Sequence, residues 1–136
     1  MADLSPAAAS IQLISGQRVS VTFGATITAG QVLYLDGSDN KAKLADADAA
    51  GKKTVYGIAL DSGSDGDTGD VALSGSVINL AVTVGVGTPY FLSSNAGGIC
   101  PLADVGTGED VDFLGVGKTA GGQLAVHIFN SGIAHA

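Results

Sequence analysis

AGQVLYLDGSDNKAKLADA, residues 29–47, and VGTPYFLSSNAGGICPLADV, residues 86–105, are two renderings of one phrase, and their agreement decides the fold. With an offset of 57 to 58 residues, Ala29-Gly30-Gln31-Val32-Leu33-Tyr34-Leu35 meets Val86-Gly87-Thr88-Pro89-Tyr90-Phe91-Leu92. Lys43-Leu44-Ala45-Asp46 then meets Pro101-Leu102-Ala103-Asp104, and Tyr56-Gly57-Ile58-Ala59 meets Leu114-Gly115-Val116-Gly117. Each half reads as strand, hairpin, short connector, strand, hairpin, strand. The repeats span about 27–75 and 84–130. Two copies are too few for a solenoid, which needs about three, but they suit a pseudo-symmetric sandwich or barrel.

Outward from this phrase the chain continues as strands. Between Arg18 and Phe23, Arg18, Ser20 and Thr22 share one face while Val19, Val21 and Phe23 share the other, the period of a half-buried strand. Further strands are expected at Gln31–Asp36, Lys41–Ala45, Thr54–Leu60, Asp70–Leu73, Ser76–Val84, Thr88–Leu92, Ile99–Leu102, Val111–Gly117 and Gln123–Phe129. Clusters of Gly, Asp, Asn and Ser separate them and supply positive φ and local side-chain caps. The expected architecture is an all-β, Gly-rich sandwich or barrel of about ten short strands. Helix is expected to be scarce, with Ala45–Lys53 and Leu102–Gly108 the stretches able to make a turn of it. The reading gives an extended N-terminal arm over residues 1–10 and a single β domain over 11–136.

At 136 residues a single domain buries enough surface to fold without staples. Cys100 has no partner for a disulfide and no ligand-spaced neighbour for zinc, so folding rests on packing and backbone hydrogen bonds. Only 14% of residues are charged and the mean hydropathy is +0.37, which points to apolar surface covered by copies of the chain or by a partner. The net charge of −7, with six Lys and Arg in total, argues against nucleic acid, whose phosphates are neutralised by many basic groups. Met1–Ser10 lacks the basic residues of a secretion signal, and Val77–Leu92, broken by Asn79, Gly85, Gly87 and Pro89, is too short and interrupted to span a membrane as a helix. No export and no membrane segment are expected.

No motif for chemistry survives inspection. Asp61, Asp65, Asp67 and Asp70 crowd one loop, but their spacing is not that of an EF-hand, and a solvated hairpin loop is the better reading. Gly115-Val116-Gly117-Lys118-Thr119 evokes a phosphate loop, yet Asp112 stands where a glycine is required and a strand follows in place of a helix. His127 lies in a strand and His135 near the C-terminus, neither beside a nucleophile or further ligand. Cys100, followed by Pro101, reads as a small buried hydrophobe. Tyr34, Tyr56, Tyr90, Phe23, Phe91, Phe113 and Phe129 mostly fall inside strands and read as core. No enzyme, cofactor or metal site is expected.

The phrase AGQVLYLDGSDNKAKLADA, with VYGIAL and GDVALSG after it, and its echo VGTPYFLSSNAGGICPLADV, with FLGVG and GGQLAVHIFNSG after it, resemble the capsid decoration, or cement, proteins of tailed bacteriophages. The resemblance covers residues 25–132 or so. It implies a structural virion protein, synthesised in the host cytoplasm and seated on the outer capsid surface. There it binds the major capsid protein and stabilises the assembled shell. It also implies a homo-oligomer, usually a trimer, and an N-terminal arm that joins the lattice. Here that arm is the Ala-rich start of the chain, uncharged but for Asp3, with Ala2, Asp3, Leu4, Ser5, Pro6, Ala7 and Ala8 as the expected capsid contacts. The alternative expectation is a tail-associated, receptor-binding or carbohydrate-binding β module, marked by exposed aromatics or an ion in the Asp61–Asp70 loop.

Overall fold

The computed structural model describes residues 3–49, 51–119 and 122–134. Among these residues the strands are β1 (Gln12–Ser15), β2 (Arg18–Thr22), β3 (Val32–Asp36), β4 (Lys41–Leu44), β5 (Gly57–Ala59), β6 (Thr68–Ala72), β7 (Val77–Asn79), β8 (Pro89–Leu92), β9 (Ile99–Pro101), β10 (Asp110–Thr119) and β11 (Gln123–Ala134). They form two antiparallel sheets, β1-β7-β11-β10-β8-β9 and β2-β6-β5-β3-β4. The all-β reading holds. Among the described residues helix is limited to 3-10 turns at Ala8–Ser10 and Leu102–Asp104, and the described part of 45–53 makes turns and no helix.

The two sheets share one plan. β2-β6-β5-β3-β4 is matched strand for strand by β7-β11-β10-β8-β9, and β1 is added at the edge. The registers agree as well. Leu33 lies opposite Gly57 and Leu44, as Tyr90 lies opposite Gly115 and Pro101. Ile58 faces Ala72, as Val116 faces Ala125, and Val19 faces Val71, as Ile78 faces Leu124. In the hairpin this register pairs Leu44 with Pro101 and not with Leu102, one residue from the match in the letters. The reason is local: Pro101 has no N–H to extend the ladder, and Leu102 starts a 3-10 turn.

The halves do not meet face to face. Val32, Tyr34, Ile58 and Ala72 of the five-stranded sheet pack into the core between the sheets, whereas their counterparts on the six-stranded sheet, Pro89, Phe91, Val116 and Ala125, lie outside that core. Conversely Leu33, Ala42 and Val71 lie on the far face of the five-stranded sheet, while their counterparts Tyr90, Ile99 and Leu124 point inward. The repeats are therefore stacked in the same sense, the inner face of one on the back of the other. Both faces of the five-stranded sheet are apolar because both are covered.

Its far face is covered by its own chain. After β2, Phe23 bridges to Ala42 of β4 and the Gly24 N–H donates to the Ala42 carbonyl at 2.8 Å. This closes the five strands into a small barrel around Phe23, Ile27, Leu33, Ala42, Ala59 and Val71, all buried. Enclosing Phe23 alone is worth about 2 to 3 kcal/mol.

Two strands end earlier than expected. In the run Ser76–Val84 only Val77–Asn79 is strand, because the Asn79 side chain accepts from the Ala81 N–H at 2.9 Å and Ala81 adopts φ 54. Val55 lies outside β5 because its backbone is bound by a side chain: Asn130 Oδ1 accepts from the Val55 N–H at 2.8 Å and Asn130 Nδ2 donates to its carbonyl at 3.2 Å. Asn130→Ala is expected to cost about 1 to 2 kcal/mol, since both bonds are lost and Val55 is buried. An unchanged urea midpoint would contradict this.

At the β3–β4 hairpin, Lys43 Nζ sits 2.7 Å from Asp36 and 3.0 Å from Asp39, and Asp36 also accepts from the backbone and hydroxyl of Ser38. The Lys43 ammonium, and then the Ser38 bonds, hold the Asp36 carboxyl well below the usual carboxylate range. A depressed carboxyl gives stability that is present above about pH 4 and is lost as pH falls through its folded value. Asp36→Asn should therefore lie closer to the parent in unfolding midpoint at pH 2 than at pH 7. Equal gaps at both pH values would remove Asp36 from the acid response.

Candidate interaction surfaces

The expected capsid-contact segment is docked on the domain. Ala2 falls outside the described residues. The Asp3 carboxylate accepts from Ser93 Oγ at 2.8 Å and from Asn95 Nδ2 at 3.1 Å. The Leu4 N–H donates to the Ile99 carbonyl at 2.8 Å, and the Leu4 side chain packs against the main core. Pro6 lies over Gly30, the Ala7 N–H donates to the Leu80 carbonyl at 3.1 Å, and Ser5 and Ala7 point to solvent. Ala8 opens the 3-10 turn that leads to β1.

The Asp61–Asp70 loop spends its carboxylates on itself and on neighbouring cations. Asp61 accepts from the Asp70 N–H and Asp67 from the Ser64 N–H, each at 2.8 Å. Asp70 pairs with Arg18 at 2.7 Å and Asp65 with Lys41 at 3.3 Å. These bonds close the hairpin as capped turns do. Among the described residues no group of three or more His, Cys, Asp or Glu side chains is placed to hold a metal ion.

Gly115–Thr119 belongs to β10, which turns back into β11. Cys100 is buried on β9, and burial pushes its thiol up to about 12, so it stays protonated and unreactive at neutral pH. His135 lies outside the described residues. The described residues line two grooves that bear on this question. The first, about 260 Å³, runs beside the N-terminal segment between residues 28–31 and 95–99, with Asp3 its one carboxylate. The second, about 310 Å³, is lined by Ser20, Val21, Thr22, Leu35, Asn40, Tyr56 and Thr68. Neither brings together an acid and a base, so neither has the makings of a proton-transfer site.

The feature least expected from the sequence is the outward face of the six-stranded sheet. Phe91, Cys100 and Val105 form a small buried cluster there, with Val111 and Phe113 packed on it. Phe113 meets Phe91 edge-on at 5.7 Å and stands 6.3 Å from the exposed His127 ring. Opposite Phe113, Phe129 is 62% exposed, and further along the same strand Ile133 is 67% exposed. These are not core residues, contrary to the expectation for Phe129. The signal was present in the alternation: Phe129 shares its row with Gln123, Ala125 and His127, which are too small or too polar to be buried. Outward positions on β8, β10 and β11 are Pro89, Phe91, Val111, Phe113, Val116, Lys118, Gln123, Ala125, His127 and Phe129. Lys118 is the single charged side chain among these, in a chain of net charge −7.

No known family model matches the chain, and neither does any curated protein.

Proposed function

We propose that this chain is a structural virion protein, a decoration protein that binds the outer surface of a phage capsid and stabilises the assembled shell as a homo-oligomer. The observation that supports this reading best is the outward face of the six-stranded sheet, with Lys118 its one charge among the positions named above and with Phe129 and Ile133 exposed on its longest strand. Large exposed apolar side chains on an otherwise acidic surface mark a site of protein contact. The duplicated β stack gives that face a rigid backing. The resemblance of residues 25–132 to cement proteins supplies the partner, the major capsid protein, and implies a trimer.

The physics needs no chemistry. A protein that binds only the assembled lattice shifts the shell away from rupture by mass action, and attachment through several subunits makes weak single contacts hold. The test is shell breakage: expanded shells stripped of decoration should rupture at a higher temperature when the protein is restored. An unchanged rupture temperature at saturating protein would refute the stabilising role. Removal of residues 2–10 with shell binding retained in full would take Ala2–Ala8 out of the contact.

One observation favours the second reading, a tail-associated or receptor- or carbohydrate-binding module: the exposed Phe129 ring beside His127. Apolar rings at a surface stack on sugar faces. Saturable binding to a glycan array, abolished by Phe129→Ala, would select that reading.

A further inference from the structure

The two halves close differently. In the first, the chain leaving β2 turns back on β4, so Phe23 and Gly24 seal the barrel with residues that belong to it. In the second half the counterpart of Ala42 is Ile99, and its carbonyl is taken by the Leu4 N–H. The chain leaving β7 offers the Leu80 carbonyl, and that is taken by the Ala7 N–H. The second half is thus left open, and the N-terminal segment fills the gap.

We infer that the gap between Ile99 and Leu80 is a strand-acceptor slot, and that the N-terminal segment of a second copy of this chain can occupy it in exchange for the chain's own. Three observations support the exchange. The segment holds on as a short ligand does, through contacts that residues 3–7 make: two backbone bonds, the Leu4 side chain packed against the core, Pro6 on Gly30 and the Asp3 bonds to Ser93 and Asn95. It is tethered through the 3-10 turn Ala8–Ser10, which buries no residue and has no side-chain cap. The slot also fits this sequence in particular, since Leu4, Pro6 and Asp3 each meet a matching partner, so an identical segment is the best-fitting occupant. Exchange remakes every contact, and the two forms differ only in the connecting turn and in protein concentration, the conditions under which domain swapping costs little. Backbone pairing along an open edge is the physics of strand addition. The inference does not depend on the capsid reading, and its test uses purified protein with no shells.

A fluorescent synthetic peptide of residues 2–11 is titrated into the full chain and into Leu4→Asp, which sets a charge against the apolar core and so disfavours docking of the chain's own segment. The peptide should bind Leu4→Asp at least tenfold more tightly than the parent, whose slot is filled. A peptide carrying the same Leu4→Asp change should not bind. No binding to either chain, or equal binding to both, overturns the inference. A second variant covers the case in which Leu4→Asp fails to fold. Deleting Ala8 and Ala9 shortens the tether so that the segment cannot reach its own slot. This protein should form assemblies larger than the parent by light scattering, and excess peptide should dissolve them. Assemblies no larger than the parent, or resistant to the peptide, overturn it equally.

Discussion

Gly115→Val is expected to destabilise the chain by about 3 kcal/mol, the upper end of what overpacking costs, and to lower the melting temperature by about 10 °C. A Cβ on Gly115 would run into the Ala125 carbonyl of β11. Both groups are backbone in the middle of the longest ladder of the molecule, so neither side can yield without breaking hydrogen bonds. The repeat makes this a paired prediction. A Cβ on Gly57 would meet the Ala72 carbonyl of β6, and Ala72 stands where Ala125 stands in the other half. Gly57→Val should fall in the same range. Gly37→Ala is the control: it lies in a hairpin loop with nothing within 4 Å of the added carbon and should change the midpoint by less than about 1 kcal/mol. Thermal melts of the three proteins decide it, and a Gly115→Val melt within a degree or two of the parent would refute the packing described.

Phe129→Ser combined with Ile133→Ser is expected to leave the fold alone and to weaken shell binding by about a hundredfold. Both side chains are more than 60% exposed, so folding does not depend on them, and the melting midpoint should stay within about 0.5 kcal/mol of the parent. Burying each in a contact is worth about 1.5 kcal/mol, or roughly tenfold in affinity apiece. Binding isotherms on mature shells measure the effect. Full-strength binding by the double variant would move the contact off this face. Loss of stability along with binding would mean that the face serves the fold.

Much of this architecture is legible in the letters because the repeat obeys backbone rules. The glycines at 57 and 115 recur because equivalent carbonyls, those of Ala72 and Ala125, approach them, and Leu33 and Tyr90 recur because each is paired on both sides, with Leu44 and Gly57 in one half and with Pro101 and Gly115 in the other. The stacking is not legible. Val32 and Tyr34 on one side of β3, and Leu33 on the other, are all apolar, so alternation does not say which face meets the other half. The ends of β7 and β5 escape for a related reason. They are set by side chains, Asn79 on Ala81 and Asn130 on Val55, and the second of these acts from 75 residues away. The N-terminal segment is legible as extended and uncharged but for Asp3. Its docking is not, because the carbonyls of Ile99 and Leu80 become available only once the second half has folded without closing. The outward face is marked by the polar and small partners of Phe129 in its row; an aromatic placed inside a strand reads as core only when that alternation is left out.

The most direct test of the decoration reading is co-sedimentation of the purified protein with expanded, mature shells of a tailed phage, alongside unexpanded shells. Saturable binding to the mature shell, and little to the unexpanded one, is the result the decoration reading predicts, because on that reading the lattice to be stabilised exists only after expansion. Absence of binding to both shells would contradict the decoration reading outright.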